Sequence, residues 1–566
     1  MNMFKRIKNK IYKFRGVAAG FLLATVCFVS IQASRTDSYF EVSKNLDIFN
    51  NVLKELSTFY VDPIEPGKLI KTGIDEMLLT LDPYTNYITE SDIEEYEFQT
   101  TGRYGGIGAN MRKAEDKVFV GDIHEGSPAD RAGLHPGDEV ITIAGKEVAG
   151  REIDEISVLL KGSPGTQVVM KVKDVYNGNV EEKTIVRSEI ELSSVPFSSL
   201  YGAKKDIAYV KLTQFTPHCS RLVKAQLDSL KKAQPNLSGI VLDLRSNPGG
   251  LLDEAVSVCN LFIDKGQLIV STKGRVKEWE HDFKTTSQPW DTKIPVTVLI
   301  NGGSASASEI VAGSLQDLDR AVVVGERSFG KGLVQTTRSL GYNARLKLTT
   351  AKYYTPSGRC IQTLDYAHRN EDGSAGTVPD SLRKEYKTTG GRKVLGSGGV
   401  EPDVKVSDPP PGKLAITLYV KGYFFDYATI YAKKNKTIPA AGQFAIDNNT
   451  YGEFVNWVEK KDYTYKSETE IRLDSLKSAA VREKYFADIE SPYKDLAAKL
   501  KRDKKQDLEK HRKEITQILE SEIVSRYYYM RGRAEHGLRN DMQMDKALTL
   551  LEKPTDYQAL LRKPAN

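Results

Sequence analysis

Ser306 and Lys331 are the residues best placed to do chemistry. Ser306 lies in Asn301-Gly302-Gly303-Ser304-Ala305-Ser306-Ala307, directly after the apolar run 296–300. Lys331 lies in Gly330-Lys331-Gly332, shortly after a second apolar run, 321–324. Both runs predict buried strands that end in glycine-rich turns. In α/β folds, reactive groups collect at such strand ends. A serine hydroxyl is a weak nucleophile until a base takes its proton, and a desolvated lysine can be that base. Burial disfavours the charged ammonium and so lowers its pKa. Simpler readings exist for each residue alone. Ser306 with Glu309 fits a helix capping box, and a lysine is ordinarily solvated.

The elements around the pair form an alternation. Residues 189–405 predict an α/β core, with strands at 207–212, 239–244, 268–271, 296–300, 322–324 and 346–350 and helices at 222–230 and 255–262. Asp243 and Arg245 open a Gly-, Asn- and Pro-rich turn that runs to Gly250, and they read as a structural ion pair supporting it. Residues 35–98 predict a helical packing segment, because Leu46, Phe49, Val52, Leu53, Leu56 and Phe59 recur at three- and four-residue steps. Residues 99–188 predict a small β-rich domain, with strands at 117–123 and 139–143 and a helix at 153–160. Residues 366–398 show no periodicity and read as a surface insertion. The extension 406–566 is punctuated by Pro409-Pro410-Pro411, beyond which residues 412–566 are charged and mainly helical.

Further short stretches occur in a fixed order across roughly residues 40–405. They are Leu81-Asp82-Pro83-Tyr84-Thr85, Gly105-Gly106-Ile107-Gly108, Gly126-Ser127-Pro128-Ala129 with Ala132-Gly133-Leu134, and Gly137-Asp138. Asp243-Leu244-Arg245-Ser246-Asn247-Pro248-Gly249-Gly250, the Ser306 segment and Gly330-Lys331-Gly332 follow. Tyr353-Tyr354-Thr355-Pro356-Ser357-Gly358 and Gly399-Val400-Glu401-Pro402-Asp403 close the series. Together these resemble the carboxyl-terminal processing peptidases, or tail-specific proteases, a family of serine proteases with a Ser-Lys dyad and a PDZ domain.

The resemblance implies a multidomain α/β (α+β) protein: a crotonase-like (ClpP-type) protease core, an inserted PDZ domain, an N-terminal helical segment and a C-terminal helical extension. It implies Ser306 as nucleophile, Lys331 as general base and Gln335 as the residue that orients the lysine. It implies a backbone oxyanion donor at Gly249 or Gly250, with the Ala307 N–H as the second donor at a helix N-terminus. In the PDZ-like domain, Gly105, Gly106, Ile107 and Gly108 would receive the carboxylate of an extended peptide bound by strand addition. The implied activity is endoproteolysis of exported proteins near their C-termini, with no cofactor. The partners it admits are protein or peptide C-termini, an adaptor lipoprotein and the membrane through the N-terminus. The rivals are a non-proteolytic PDZ scaffold and a serine hydrolase that uses His281 on small esters.

Whole-chain properties narrow the field. At 566 residues the chain exceeds a single core, and its 40% hydrophobic and 28% charged residues are those of globular domains. A net charge of +6, without a basic patch interleaved with aromatics, gives no sign of nucleic-acid binding. Part of that charge is Lys5, Arg6, Lys8, Lys10, Lys13 and Arg15, followed by the apolar stretch 17–29. This order predicts that residues 1–34 are a signal peptide or retained anchor, with the bulk exported to a periplasm or the outer face of an inner membrane. The seven histidines show no metal-ligand spacing, and neither a Gly-x-Ser-x-Gly elbow nor a Walker A motif occurs.

Overall fold

The computed structural model describes residues 40–500 and 504–562. The chain separates into two compact units, residues 1–87 and 88–566. The predicted leader, residues 1–34, lies outside the described residues. In the first unit, residues 40–59 form one helix and Pro66–Leu79 a second. The apolar stripe that predicts the first helix stays in solvent: Leu46, Phe49, Val52, Leu56 and Phe59 are all exposed. Among the described residues, no helix is long and apolar enough to cross a membrane.

The heart of the larger unit is a six-stranded sheet. Its spatial order is Phe197–Tyr201, Ile207–Lys211, Gly239–Asp243, Val296–Ile300, Val322–Gly325 and Val404–Lys405. The first pair is antiparallel and the others are parallel. Parallel strands are buried on both faces, which is why Val296–Ile300 reads as an unbroken apolar run. Alternate residues serve opposite faces. Val296, Val298 and Ile300 pack towards the helices Cys219–Ala233, Leu252–Cys259 and Ala307–Asp317 through Val223, Leu227, Ala255, Ile310 and Leu315. Val241, Leu299, Val322 and Val324 face the other way, onto Met544, Ala547, Leu550, Leu551 and Tyr557. The C-terminal helices Met542–Glu552 and Pro554–Leu561 are thus the second cover of the sheet. Tyr557 even hydrogen-bonds the backbone of Val296, accepting from its N–H at 3.0 Å and donating to its carbonyl at 2.9 Å.

A five-strand path, Ala109–Ala114, Lys117–Ile123, Glu139–Ile143, Gln167–Lys173 and Val180–Val186, with helix Ile153–Leu160, forms the inserted β-rich domain around its own core. Ala109–Ala114 is the end strand of that path. This domain is tied to the C-terminal helices. Arg533 grips both carboxylate oxygens of Asp122 at 3.2 Å, and the Tyr529 hydroxyl donates to Asp130 at 2.9 Å.

The segment 366–398 is ordered by charge instead of apolar packing. It carries the hairpins Leu364–Arg369/Ala375–Thr377 and Glu385–Lys387/Lys393–Leu395. Buried Arg383 pairs with Glu401 at 2.9 Å, and Arg392 pairs with both Asp319 and Asp403 at 2.6 Å.

Candidate active site

Ser306 ends the turn between strand Val296–Ile300 and helix Ala307–Asp317 with φ 54° and ψ −113°. A non-glycine residue in this region is strained by on the order of 1–3 kcal/mol and needs its neighbours to hold it there. The neighbours are specific. The Ala305 N–H donates to the Asn247 carbonyl at 3.0 Å, and the Ser308 hydroxyl donates to the same carbonyl at 2.9 Å. The Ser306 N–H donates to Glu309 Oε2 at 2.8 Å. The capping carboxylate that the sequence suggests is therefore present, and it fixes the serine in its strained turn.

Lys331 follows strand Val322–Gly325 and precedes the long hairpin Leu333–Gly341/Ala344–Tyr354. Gly330 is obligatory before it: φ is +89°, and a Cβ there would sit 1.7 Å from Thr363 Oγ1. Gln335 lies where the hairpin register shifts, and its amide donates to Thr349 Oγ1 at 3.1 Å. Bulges of this kind re-aim side chains. Ser306, Lys331 and Gln335 line one cavity of ≈ 450 Å³, together with Gly249, Gly250 and Ala307. Leu252, Ile310, Leu333 and Val334 give it an apolar wall. No histidine lines it; His281 is exposed on strand His281–Lys284, its ring against Phe283.

Two buried side chains lock the serine and lysine segments together. Glu309 accepts from the Ser306 and Lys331 N–H groups through Oε2, and from Gly330 N–H and the Ser328 hydroxyl through Oε1, all at 2.5–2.9 Å. The Tyr353 hydroxyl lies 3.1 Å from the Ser306 carbonyl and 2.7 Å from the Lys331 carbonyl. Sequence reasoning sees Glu309 only as a cap and assigns Tyr353 no role at the site.

Burial pushes the Glu309 carboxyl up to about 7, against the pull of its four donors. Its unfolded-state value is near 4.5. The stability linked to its proton is thus complete below that value and is lost as pH rises through about 7. Glu309→Gln carries no titrating proton and should flatten this part of the plot of melting temperature against pH. An unchanged slope in the variant would assign the dependence to other groups.

The two candidate oxyanion glycines differ in what they have left to give. The Gly249 N–H donates to Asn247 Oδ1 at 2.9 Å. The Gly250 N–H has no acceptor among the described residues; the adjoining bridge to Phe215 uses the Gly249 carbonyl and the Leu251 N–H. The Ala307 N–H, at the helix N-terminus, likewise has no acceptor among them. Gly249 contributes by being small: φ is +104°, and a Cβ would lie 2.8 Å from Ser306 Cβ and 2.9 Å from Ala307 N.

Asp243 and Arg245 lie behind this turn as a support. Arg245 grips both Asp243 oxygens, at 3.0 and 2.7 Å, and reaches Asp541 at 2.6 Å. Although burial alone would raise it, Arg245 and Lys211 hold the Asp243 carboxyl well below the usual range.

In the β-rich domain, Gly105 and Gly106 are strand residues paired with Glu189 and Ser188, while Ile107 is buried in the domain core. Gly108, at φ +76°, leads into the end strand Ala109–Ala114, its carbonyl accepting from the His124 N–H and the Ser127 hydroxyl. Far along the sequence from Ser306 and Lys331, folding also gathers His135, Asp138 and Asp174. Their carboxylates accept from the His135, Val175, Tyr176 and Asn177 N–H groups, which staples two turns of this domain.

Comparison with known proteins agrees with this architecture. The family model for Peptidase family S41 matches residues 206–368, that for a PDZ domain matches 119–174, and that for "Probable PDZ-protease, C-terminal helical domain" matches 414–551. A carboxy-terminal-processing protease of Bartonella bacilliformis is 38% identical over 348 residues, covering 61% of this chain and 79% of that one. A probable CtpA-like serine protease of Staphylococcus aureus strain COL is 35% identical over 376 residues, covering 64% and 72%. The solved photosystem II D1 C-terminal processing protease is 26% identical, covering 64% of this chain and 92% of that one at a TM-score of 0.34. Fold and sequence together define a serine-type protease that carries a PDZ domain. The chain belongs to the carboxy-terminal-processing proteases of peptidase family S41.

Proposed function

We propose that the protein is an exported endopeptidase that engages protein C-termini and cleaves near them with a Ser306–Lys331 dyad. The observation that carries this reading is that both residues line one cavity while Glu309 and Tyr353 bind the backbones of both. Ser306 Oγ attacks the scissile carbonyl, and neutral Lys331 takes its proton. The Gly250 and Ala307 N–H groups receive the oxyanion, Gly250 being favoured over Gly249 because only its N–H is uncommitted. Collapse passes the proton from Lys331 to the leaving amine and leaves an acyl-serine, which water hydrolyses. Gln335 borders the same cavity and orients the lysine.

Substrate C-termini reach the protease through the PDZ domain. The open side of end strand Ala109–Ala114 accepts an added strand, and the Ile107–Gly108 turn at its start lies where the terminal carboxylate would be held. The basic and then apolar N-terminus supports export. A fluorophosphonate probe, followed by peptide mapping, tests the nucleophile alongside turnover of casein. Label on Ser306 with casein cleavage is expected. Binding of C-terminal peptides without label or cleavage would make the protein a scaffold.

A further inference from the structure

The cavity holds a second lysine for which the dyad has no use. Lys347 sits on strand Ala344–Tyr354 opposite Thr337 and lines the same cavity as Ser306. Its ammonium has no ion pair or hydrogen bond with any described residue. Burial lowers its pKa. No aspartate or glutamate lines the cavity, and Glu97, which follows the lining residue Tyr96 in sequence, is held by Arg345 at 3.3 Å. The surroundings of Lys347 are polar: Tyr96 and Gln99 share this lining, and the Tyr96 hydroxyl bonds Thr337 Oγ1 at 2.6 Å.

A half-buried ammonium without a counter-ion is costly, because desolvation disfavours the charge and nothing nearby offsets it. A bound ligand that brings a carboxylate removes that cost and gains a charge-assisted hydrogen bond. We infer that Lys347 is a carboxylate subsite of the cleft, taking either an acidic side chain of the bound peptide or the peptide's own C-terminus. The inference rests on reading the cavity as the peptide cleft. It adds charge selection to a site whose other wall is apolar.

The test measures binding, so that it does not depend on turnover. Full-length protein carrying Ser306→Ala is titrated with fluorescent peptides in matched pairs: free acid against amide, and Asp against Asn at each position. One pair should differ by about tenfold or more in Kd. That ratio should fall close to one in Lys347→Met, persist in Lys347→Arg and invert in Lys347→Glu, which should prefer Lys over Asp at the same position. Dependence on the acid–amide pair identifies the chain terminus as the source, and dependence on an Asp–Asn pair identifies a side chain. An acid–amide difference that persists unchanged in Lys347→Met belongs to the PDZ domain; if no pair loses discrimination in Lys347→Met, or none discriminates in its parent, the inference is overturned. Residual turnover by Ser306→Ala, assayed in parallel, would count against the dyad and leave the Kd comparison standing.

Discussion

Ser306→Ala should lower peptide-bond cleavage by about four orders of magnitude or more while leaving the fold in place. In the proposed mechanism the loss is large because the hydroxyl is the atom that would bond to substrate; the remaining groups would bind and polarise a carbonyl but could not acylate. The fold survives because the structural contacts of this residue are made by its backbone. Its N–H goes to Glu309 and its carbonyl accepts from Tyr353, and alanine keeps both. Nor does alanine change the cost of the positive φ, since both residues carry a Cβ. Even a lost cap would cost only ~1 kcal/mol. A melting temperature within a few degrees of wild type, with casein left intact, is the expected result. Turnover comparable to wild type in the purified variant would remove Ser306 from the mechanism.

The turn that carries Ser306 is legible in sequence because two strong signals meet there. An unbroken apolar run predicts a doubly covered strand, and Ser-x-x-Glu predicts a helix start. The structure has both, at Val296–Ile300 and Ala307–Asp317. The inserted domain is legible for a similar reason: the strands expected at 117–123 and 139–143 and the helix expected at 153–160 form over those same residues. Hairpin strand Leu333–Gly341 is not legible. Its residues from Thr336 onward are exposed, so no period-two pattern marks it, and its partner strand gives the only apolar hint.

Where packing is remote, sequence periodicity has no address. Met544, Ala547, Leu550 and Leu551 describe an amphipathic helix, yet nothing in their spacing names the back of the central sheet as their destination. Segment 366–398 reads as a loose insertion because its anchors are Arg383 and Arg392, and hydrophobic pattern is blind to buried ion pairs. The choice between Gly249 and Gly250 is likewise invisible in a Gly-Gly dipeptide. What separates the two is the Asn247 side chain, whose oxygen occupies the Gly249 N–H while the Gly250 N–H has no acceptor among the described residues.

Lys331→Arg should be as inactive as Ser306→Ala, and Lys331→Met should match it. Arginine keeps a positive charge and a long aliphatic stem, so a merely electrostatic role for Lys331 would be largely rescued by it. A base would not be rescued, because the guanidinium stays protonated and cannot accept the serine proton. Methionine separates the two roles from the other side, keeping the bulk without charge or basicity. The Glu309 and Tyr353 contacts reach only the backbone of this residue, so both variants retain them and should fold. In wild type, kcat/KM should fall on the acid side as Lys331 takes up a proton, and the fluorophosphonate labelling rate should fall along the same limb, since both report the neutral amine. An active arginine variant, or a labelling rate indifferent to pH, would place the base elsewhere. With no histidine among the residues lining the cavity, the search would then turn to Lys347, the one other lysine in that lining.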